Sequence, residues 1–314
     1  MDTPNSPESP SRARRTFIAV AATAVAVVGL LTGCGRSDEP SGTEPAAAIP
    51  GHYAQVNGLK MYYEVHGQAN GQAPLVLLHG GLSGIGSSFG RVLPDLAKGR
   101  QVIGVEQQGH ARTADIDRPL RYETMADDTV ALLQQLGIRQ ADFFGYSDGA
   151  AVALSIGIRH PDIAHKLVLA SVAYRPDGMQ PGQHESLQTL RPEMMEGSVF
   201  KDEYDRIAPR RQDFPTLVEK IKDLDAHAPA YTPDQIRSLH APVLILAADN
   251  DIFRPEHTIE MYRLLGGGID GIPGLPESRL AVVPGTSHLT LIDKTPSVLL
   301  QIIPDFLNTA KLQR

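Results

Sequence analysis

One stretch constrains this chain more than any other: Phe143-Phe144-Gly145-Tyr146-Ser147-Asp148-Gly149-Ala150. Two apolar residues run into Gly-x-Ser-x-Gly and small residues follow, which reads as strand, sharp turn and helix. Glycine two positions to either side lets a strand and a helix approach closely, while the serine sits on strained backbone with its hydroxyl above the end of a sheet. Ser147 is therefore a candidate nucleophile. The five-residue pattern is common in itself. Its context gives it weight, because an apolar strand (Ala141 to Phe144) precedes it and a small-residue helix (Gly149 to Arg159) follows.

Strands and helices alternate on both sides of this turn. Tyr53 to Val56 and Lys60 to Val65 flank Asn57-Gly58, a hairpin signal, so the domain is expected to begin antiparallel. Leu75 to Leu78 is continuously apolar, as in a strand buried on both faces of a mostly parallel sheet, and it delivers His79-Gly80-Gly81-Leu82 to the sheet's C-terminal edge. A helix near Ser88 to Lys98, a strand Gln101 to Val105, a helix Tyr122 to Leu136 and a strand Lys166 to Ala170 fit the same order. So do a strand Pro242 to Ala247, a helix Pro255 to Leu265, a Gly/Pro-rich loop Gly266 to Pro276, a strand Arg279 to Val283 and a last helix Pro296 to Asn308. Short-spaced alternation predicts an α/β fold with a doubly wound, mostly parallel sheet. Between about Tyr174 and Leu239 the pattern breaks. That segment is rich in Pro, Met, Glu, Arg and Gln, with helical pieces such as Thr216 to Asp225 and no central-strand run, and is expected to be a helical cap insertion over the active-site edge.

The 314 residues, 42% of them hydrophobic, suffice for one large domain with an insertion, assigned to residues 52–314. Residues 1–33 read differently. Arg12, Arg14 and Arg15 precede an apolar run from Phe17 to Leu31, too short for an ordinary membrane span and built like an export signal. Leu31-Thr32-Gly33-Cys34 resembles the lipobox of bacterial lipoproteins, in which the cysteine is acylated and becomes the mature N-terminus. Arg14-Arg15-Thr16-Phe17-Ile18 also resembles a twin-arginine signal, although two arginines serve the general export route as well. Cys34 is the single cysteine, so no intrachain disulfide is possible. Residues 34–51 then comprise the lipidated cysteine and a flexible tether rich in Ser, Pro, Glu and Ala, reaching roughly 50 Å when extended. The expectation is a bacterial envelope protein, exported and held at a membrane by its lipid. Loss of the signal removes three arginines against Asp2 and Glu8, taking the net charge from −7 to −8, and an acidic chain is a poor partner for nucleic acid.

From about His52 onward the chain resembles the α/β-hydrolase family: a His-Gly loop, Gly-x-Ser-x-Gly, an acid after a late strand and a histidine in the last loop come in the family order. Gly145-Tyr-Ser-Asp-Gly149 and His165-Lys166-Leu-Val-Leu169 resemble the capped, biphenyl-hydrolase-like branch of serine esterases. Glu106-Gln-Gln-Gly-His110 departs from the family, which usually has an aspartate or arginine before Gly-His or Gly-x-Gly. In the branch, an aspartate at the position of Asp148 can meet a substrate's amino group. A carboxylate at a helix N-terminus is explained more simply as capping its helix, where its charge is favourable without touching substrate.

A serine hydroxyl needs a base within hydrogen-bond reach, and the base needs a carboxylate to orient it. His288, in Pro284-Gly-Thr-Ser-His288 after the last strand, is the expected base. Asp249-Asn-Asp251 follows the strand ending at Ala247. Asp251 is preferred as the acid because it stands four residues before Pro255, a first-turn proline, with Asp249 expected to stabilise the turn. Asp177, beyond the Lys166 to Ala170 strand, is a third candidate. The oxyanion donors are expected to be the backbone N–H groups of Asp148 and Gly81. His79 is expected to shape its loop, and His110 and His160 to be structural.

No metal-ligand cluster or nucleotide fingerprint is visible in the sequence, so no cofactor is expected. A serine at the turn argues against the dehalogenases and epoxide hydrolases of this fold, which use aspartate there. The expected activity is hydrolysis of small-molecule carboxylic esters through an acyl-serine, with thioesters and aminoacyl compounds as variants. The alternatives are a cofactor-free perhydrolase, lactonase, C–C hydrolase or acyltransferase on the same triad, and, last, a non-enzymatic surface binding module. Acyl and alcohol specificity and oligomeric state leave no mark in the sequence.

Overall fold

The structure, a computed structural model, describes residues 51–268 and 276–310. The expected export signal, Cys34, all but the last residue of the tether and part of the Gly266 to Pro276 loop lie outside the described residues. A hairpin opens the domain. Strands β1 (His52–Val56) and β2 (Leu59–His66) pair antiparallel through a turn with Asn57 at φ 48° and Gly58 at φ 82°, the left-handed pair that a two-residue hairpin requires. Then follow β3 (Leu75–Leu78), α1 (Ile85–Phe89), α2 (Leu93–Gly99), β4 (Val102–Glu106), α3 (Tyr122–Gln135), β5 (Ala141–Tyr146), α4 (Asp148–Arg159) and β6 (Ala164–Ala170). The segment 174–239 forms α5 (Gln183–Gln188), α6 (Val199–Ile207), α7 (Phe214–Ala226) and α8 (Pro233–Arg237) and adds no strand to the sheet. The chain closes with β7 (Val243–Asn250), α9 (Pro255–Leu264), β8 (Arg279–Ser287), α10 (Leu291–Lys294) and α11 (Pro296–Asn308).

The eight strands of the described residues form one sheet in the order β1-β2-β4-β3-β5-β6-β7-β8, antiparallel through β2 and β4 and parallel from there on. Both faces are covered, which is why the central strands carry no apolar-polar alternation. In β3, Val76 and Leu78 pack with α3 and α4, while Leu75 and Leu77 pack with Leu93 and Leu96 of α2 and Ile303 and Phe306 of α11. Phe143 and Phe144 of β5 divide between the two faces in the same way.

One expected helix is two. The run from Ser88 to Lys98 breaks because Gly90 terminates α1 and Pro94, in the first turn of α2, starts a new helix. The consequence that matters for the site is topological. Parallel strands end at one edge, so β3, β5, β6, β7 and β8 deliver His79, Ser147, Ser171, Asp251 and His288 to the same rim.

Candidate active site

The turn between β5 and α4 is as tight as its glycines suggest. A Cβ at Gly145 would lie 2.2 Å from the carbonyl oxygen of Gly149, and one at Gly149 would lie 1.9 Å from that of Leu78. Ser147 between them has φ 54° and ψ −120°, a conformation that side-chain-bearing residues rarely adopt. Ser171 and Leu82 share this left-handed strain, at φ 52° and 60°. Backbone strain thus concentrates on the rim.

Ser147 Oγ lies 3.0 Å from His288 Nε2, and His288 Nδ1 lies 2.9 Å from Asp251 Oδ1. The second contact fixes the ring as a donor toward the carboxylate and an acceptor toward the hydroxyl. The other oxygen of Asp251 accepts from the Ser171 hydroxyl and, at 3.2 Å, from the Ala248 N–H, while Oδ1 also accepts from the Ile252 N–H at 2.8 Å. Burial alone would push the Asp251 pKa up. The hydrogen bond and charge of His288, with the Ser171 and Ala248 donors, outweigh it, and the pKa falls below the ordinary carboxylate value. His288 is steadied from behind, where the Tyr146 hydroxyl donates to its carbonyl oxygen at 2.5 Å and the Phe253 ring stands edge-on to the imidazole.

The other two acids go elsewhere. Asp249 accepts from the N–H groups of Gly285 (2.8 Å) and Thr286 (3.0 Å), bracing the loop ahead of His288, and these bonds lower its pKa. Asp177 sits exposed on a 3₁₀ turn and pairs with Arg175 at 2.7 Å. His79 holds its own loop: one ring nitrogen lies 2.8 Å from the Gly80 carbonyl oxygen and the other accepts from the Gln107 N–H at 3.0 Å. His110 is fully enclosed against it, and His160 pairs with Asp127.

Gly81, Leu82, Ser147, Asp148 and His288 line a cavity of about 250 Å³ that Met179, Leu187, Ile221 and Tyr231 close from the 174–239 segment. Neither the Gly81 nor the Asp148 N–H is engaged in a hydrogen bond among the described residues, which leaves both for a ligand oxygen. The Asp148 side chain stands in the first turn of α4. It accepts from the Tyr122 hydroxyl at 2.7 Å, and burial raises its pKa. Among the described residues no group of three or more His, Cys, Asp or Glu could hold a metal ion.

A serine on a strained elbow, joined to a histidine and a carboxylate at strand ends of one mostly parallel sheet, is the arrangement on which this fold is recognised. The family profile for the alpha/beta hydrolase fold matches residues 73–212. The chain has the α/β-hydrolase fold. A protein of Rhizobium rhizogenes whose name gives it as the carbamate hydrolase RutD is 30% identical over 118 residues, 37% of this chain and 45% of the relative. The 2-hydroxymuconate semialdehyde hydrolase of a Pseudomonas species is 35% identical over 103 residues, 32% and 36% of the two chains. The chain thus spans under half the length of these two relatives. The enol-lactonase of Burkholderia xenovorans superposes on 82% of this chain and all of its own chain, with TM-score 0.62 at 19% identity.

Sequence reading missed three contributors to the site. Ser171 stands directly after a predicted strand, a position that could have flagged it. Tyr146 adjoins the nucleophile, yet its hydroxyl reaches the far side of His288 only because β5 and β8 end at one rim. Tyr122 begins a helix and carries no local mark of its role toward Asp148.

Proposed function

We propose that this α/β-hydrolase is a serine hydrolase that cleaves small carboxylic esters through an acyl-Ser147 intermediate. The observation that carries the proposal is the unbroken hydrogen-bonded line from Ser147 through His288 to Asp251, opening on a cavity that Gly81 and Asp148 share. His288 Nε2 takes the hydroxyl proton as Oγ adds to the substrate carbonyl carbon, and the carbonyl oxygen becomes an oxyanion. The N–H groups of Gly81 and Asp148 receive it, each worth roughly 3 kcal/mol if lost. The bond to the alcohol then breaks, and the alcohol oxygen takes the proton from His288. Water repeats the sequence on the acyl-enzyme, releasing the acid and restoring Ser147. The small, largely apolar cavity favours a compact acyl group.

A second reading, cleavage of a lactone, a carbamate or an activated C–C bond on the same triad, is favoured by the names of the relatives. Fluorophosphonate labelling abolished by Ser147→Ala tests the nucleophile. A panel of p-nitrophenyl esters of graded length, lactones, aryl carbamates and vinylogous diketones decides the bond cleaved. Labelling with no ester turnover, but turnover of a diketone or carbamate, would replace the ester reading by the second. No labelling at all would favour a binding module.

We also propose that Cys34 carries lipid and tethers the domain to a bacterial membrane, from the order of basic residues, apolar run, small residues and cysteine in the sequence. Several acyl chains give stable anchoring, at roughly 0.8 kcal/mol per buried CH₂. Mass spectrometry of the protein from its native membrane should find Cys34 acylated at a new N-terminus. An unmodified Cys34 there would end the proposal.

A further inference from the structure

Glu203 of α6 is a carboxylate only 8% exposed, and its partners all come from one short segment of the core. Its oxygens accept from the Gly84 N–H (3.0 Å), the Ser87 N–H (3.1 Å) and the Ser87 hydroxyl. These donors lie at the start of α1, where backbone N–H groups have no partner within the helix. Gly86 leaves room for the carboxylate, since a Cβ there would stand 2.5 Å from Glu203 Oε1. A buried carboxylate persists only where donors of this kind compensate it, so removing the charge should loosen the donors as well.

α1 in turn clamps the loop that precedes it. The Ser88 hydroxyl oxygen accepts from the Gly80 N–H at 3.2 Å and donates to Ser83 Oγ at 2.8 Å, and the Ser83 hydroxyl donates to the Gly80 carbonyl at 2.6 Å. The turn so clasped, Gly80 to Ser83, holds Gly81 and the strained Leu82. A leucine at positive φ stays there only because its surroundings hold it.

We infer that Glu203 is a positioning residue for the oxyanion loop, so that the inserted segment sets the aim of the Gly81 N–H through α1 and Ser88. The inference rests on the acyl-serine reading for its effect on catalysis, and on the hydrogen bonds alone for its effect on the loop. The seating of α6 on the core and the geometry of the oxyanion hole then form one unit.

The test compares Glu203→Gln with Lys220→Met in the full chain. Lys220 also ties the inserted segment to the core, through Asp115 (2.6 Å) and the carbonyls of Ile116 and Arg118, and none of these bonds reaches α1. Amide hydrogen exchange at residues 80–89 should quicken about tenfold or more in Glu203→Gln and stay unchanged in Lys220→Met. Turnover kcat on a p-nitrophenyl ester should fall about 10- to 100-fold in Glu203→Gln with KM within about twofold, as for an approximately 1 Å misplacement. Ser87→Ala, which spares the carboxylate and two of its three donors, should shift both readouts the same way by less. Unchanged exchange in Glu203→Gln, equal changes in both cap variants, or a rise in KM at constant kcat would overturn the inference. A wild type that neither labels with fluorophosphonate nor turns over esters would sink the acyl-serine reading, while exchange still decides the role of Glu203.

Discussion

Asp249 and Asp251 lie two residues apart at the end of β7, yet only Asp251 touches His288, at 2.9 Å, while Asp249 spends both oxygens on the backbone of Gly285 and Thr286. One carboxylate orients the imidazole and its neighbour sets the loop that carries it.

Asp251→Asn should therefore lower kcat by about 10³- to 10⁴-fold with the fold intact, because an amide can donate to Nδ1 and stabilise the wrong tautomer. Asp249→Asn should cost less than about tenfold, since an amide oxygen still accepts one of the two N–H groups. Steady-state kinetics on one ester, with circular dichroism of both variants, checks this. A larger loss in Asp249→Asn would move the acid to that residue.

The sequence makes the strand ends legible because buried parallel strands are uninterrupted apolar runs, and because the turn after β5 tolerates only glycine at positions 145 and 149. Ser147 and His288 are visible for the same reason: each follows such a strand. The choice between Asp249 and Asp251 depends on how β7 and β8 extend past their apolar cores, to Asn250 and Ser287, which periodicity does not encode. Glu203 is less legible still. It is one glutamate among the charged residues of a short helix, and only the seating of α6 against α1 distinguishes it.

Strain at Ser147 predicts an unusual ranking of variants. Ser147→Gly removes a left-handed side-chain-bearing residue, a strain of about 1–3 kcal/mol, against a backbone-entropy cost of about 0.5–1 kcal/mol. Ser147→Ala keeps the strain. The glycine variant, inactive like the alanine one, should be more stable than it by about 1 kcal/mol in urea unfolding. Equal midpoints would show that the elbow is not strained.

Stability should fall as pH drops below about 6.5, the ordinary histidine value. Burial pushes His110 down to about 3 and His257 to about 4, and lowers His79 as well. The folded state keeps these rings neutral while the unfolded chain takes up protons, at about 1.4 kcal/mol per pH unit for each ring fully titrated in one state only. Each ring's loss accumulates from about pH 6.5 down to its own folded pKa and then stops growing. Glu106 runs the other way: burial raises it to about 7, so its contribution is complete below pH 4.5 and vanishes as pH rises through 7. Burial also raises Asp148 and Asp225, which oppose the rings in the lower part of this range, so the net decline is clearest just below pH 6.5. Urea titrations at pH 7.5, 6 and 5 should show it, and His110→Asn should flatten the slope even if it lowers stability at pH 7.5. A wild type more stable at pH 5 than at pH 7.5 would contradict the account.

Asp148 is one of the charged groups lining the cavity, with Arg175 and Asp225. Its side chain accepts from the Tyr122 hydroxyl on the cavity wall, with Asp225 of α7 lining the same space. As the first residue of α4 its carboxylate also favours the helix dipole, and its place on the cavity wall adds contact with substrate as the second role to be tested. At about 4 Å and an effective dielectric near 20, a carboxylate and an ammonium attract by roughly 4 kcal/mol, and solvent at the cavity mouth reduces this. Burial raises the Asp148 pKa, so the attraction should grow as pH rises past the ordinary carboxylate range. Asp148→Asn should then lower kcat/KM for an aminoacyl ester about tenfold more than for the matched plain acyl ester, with the difference fading at acid pH. The backbone N–H of residue 148 is the same in both proteins, so a loss shared equally by the two esters would reflect damage to the oxyanion hole or the elbow, and would remove the case for amine recognition.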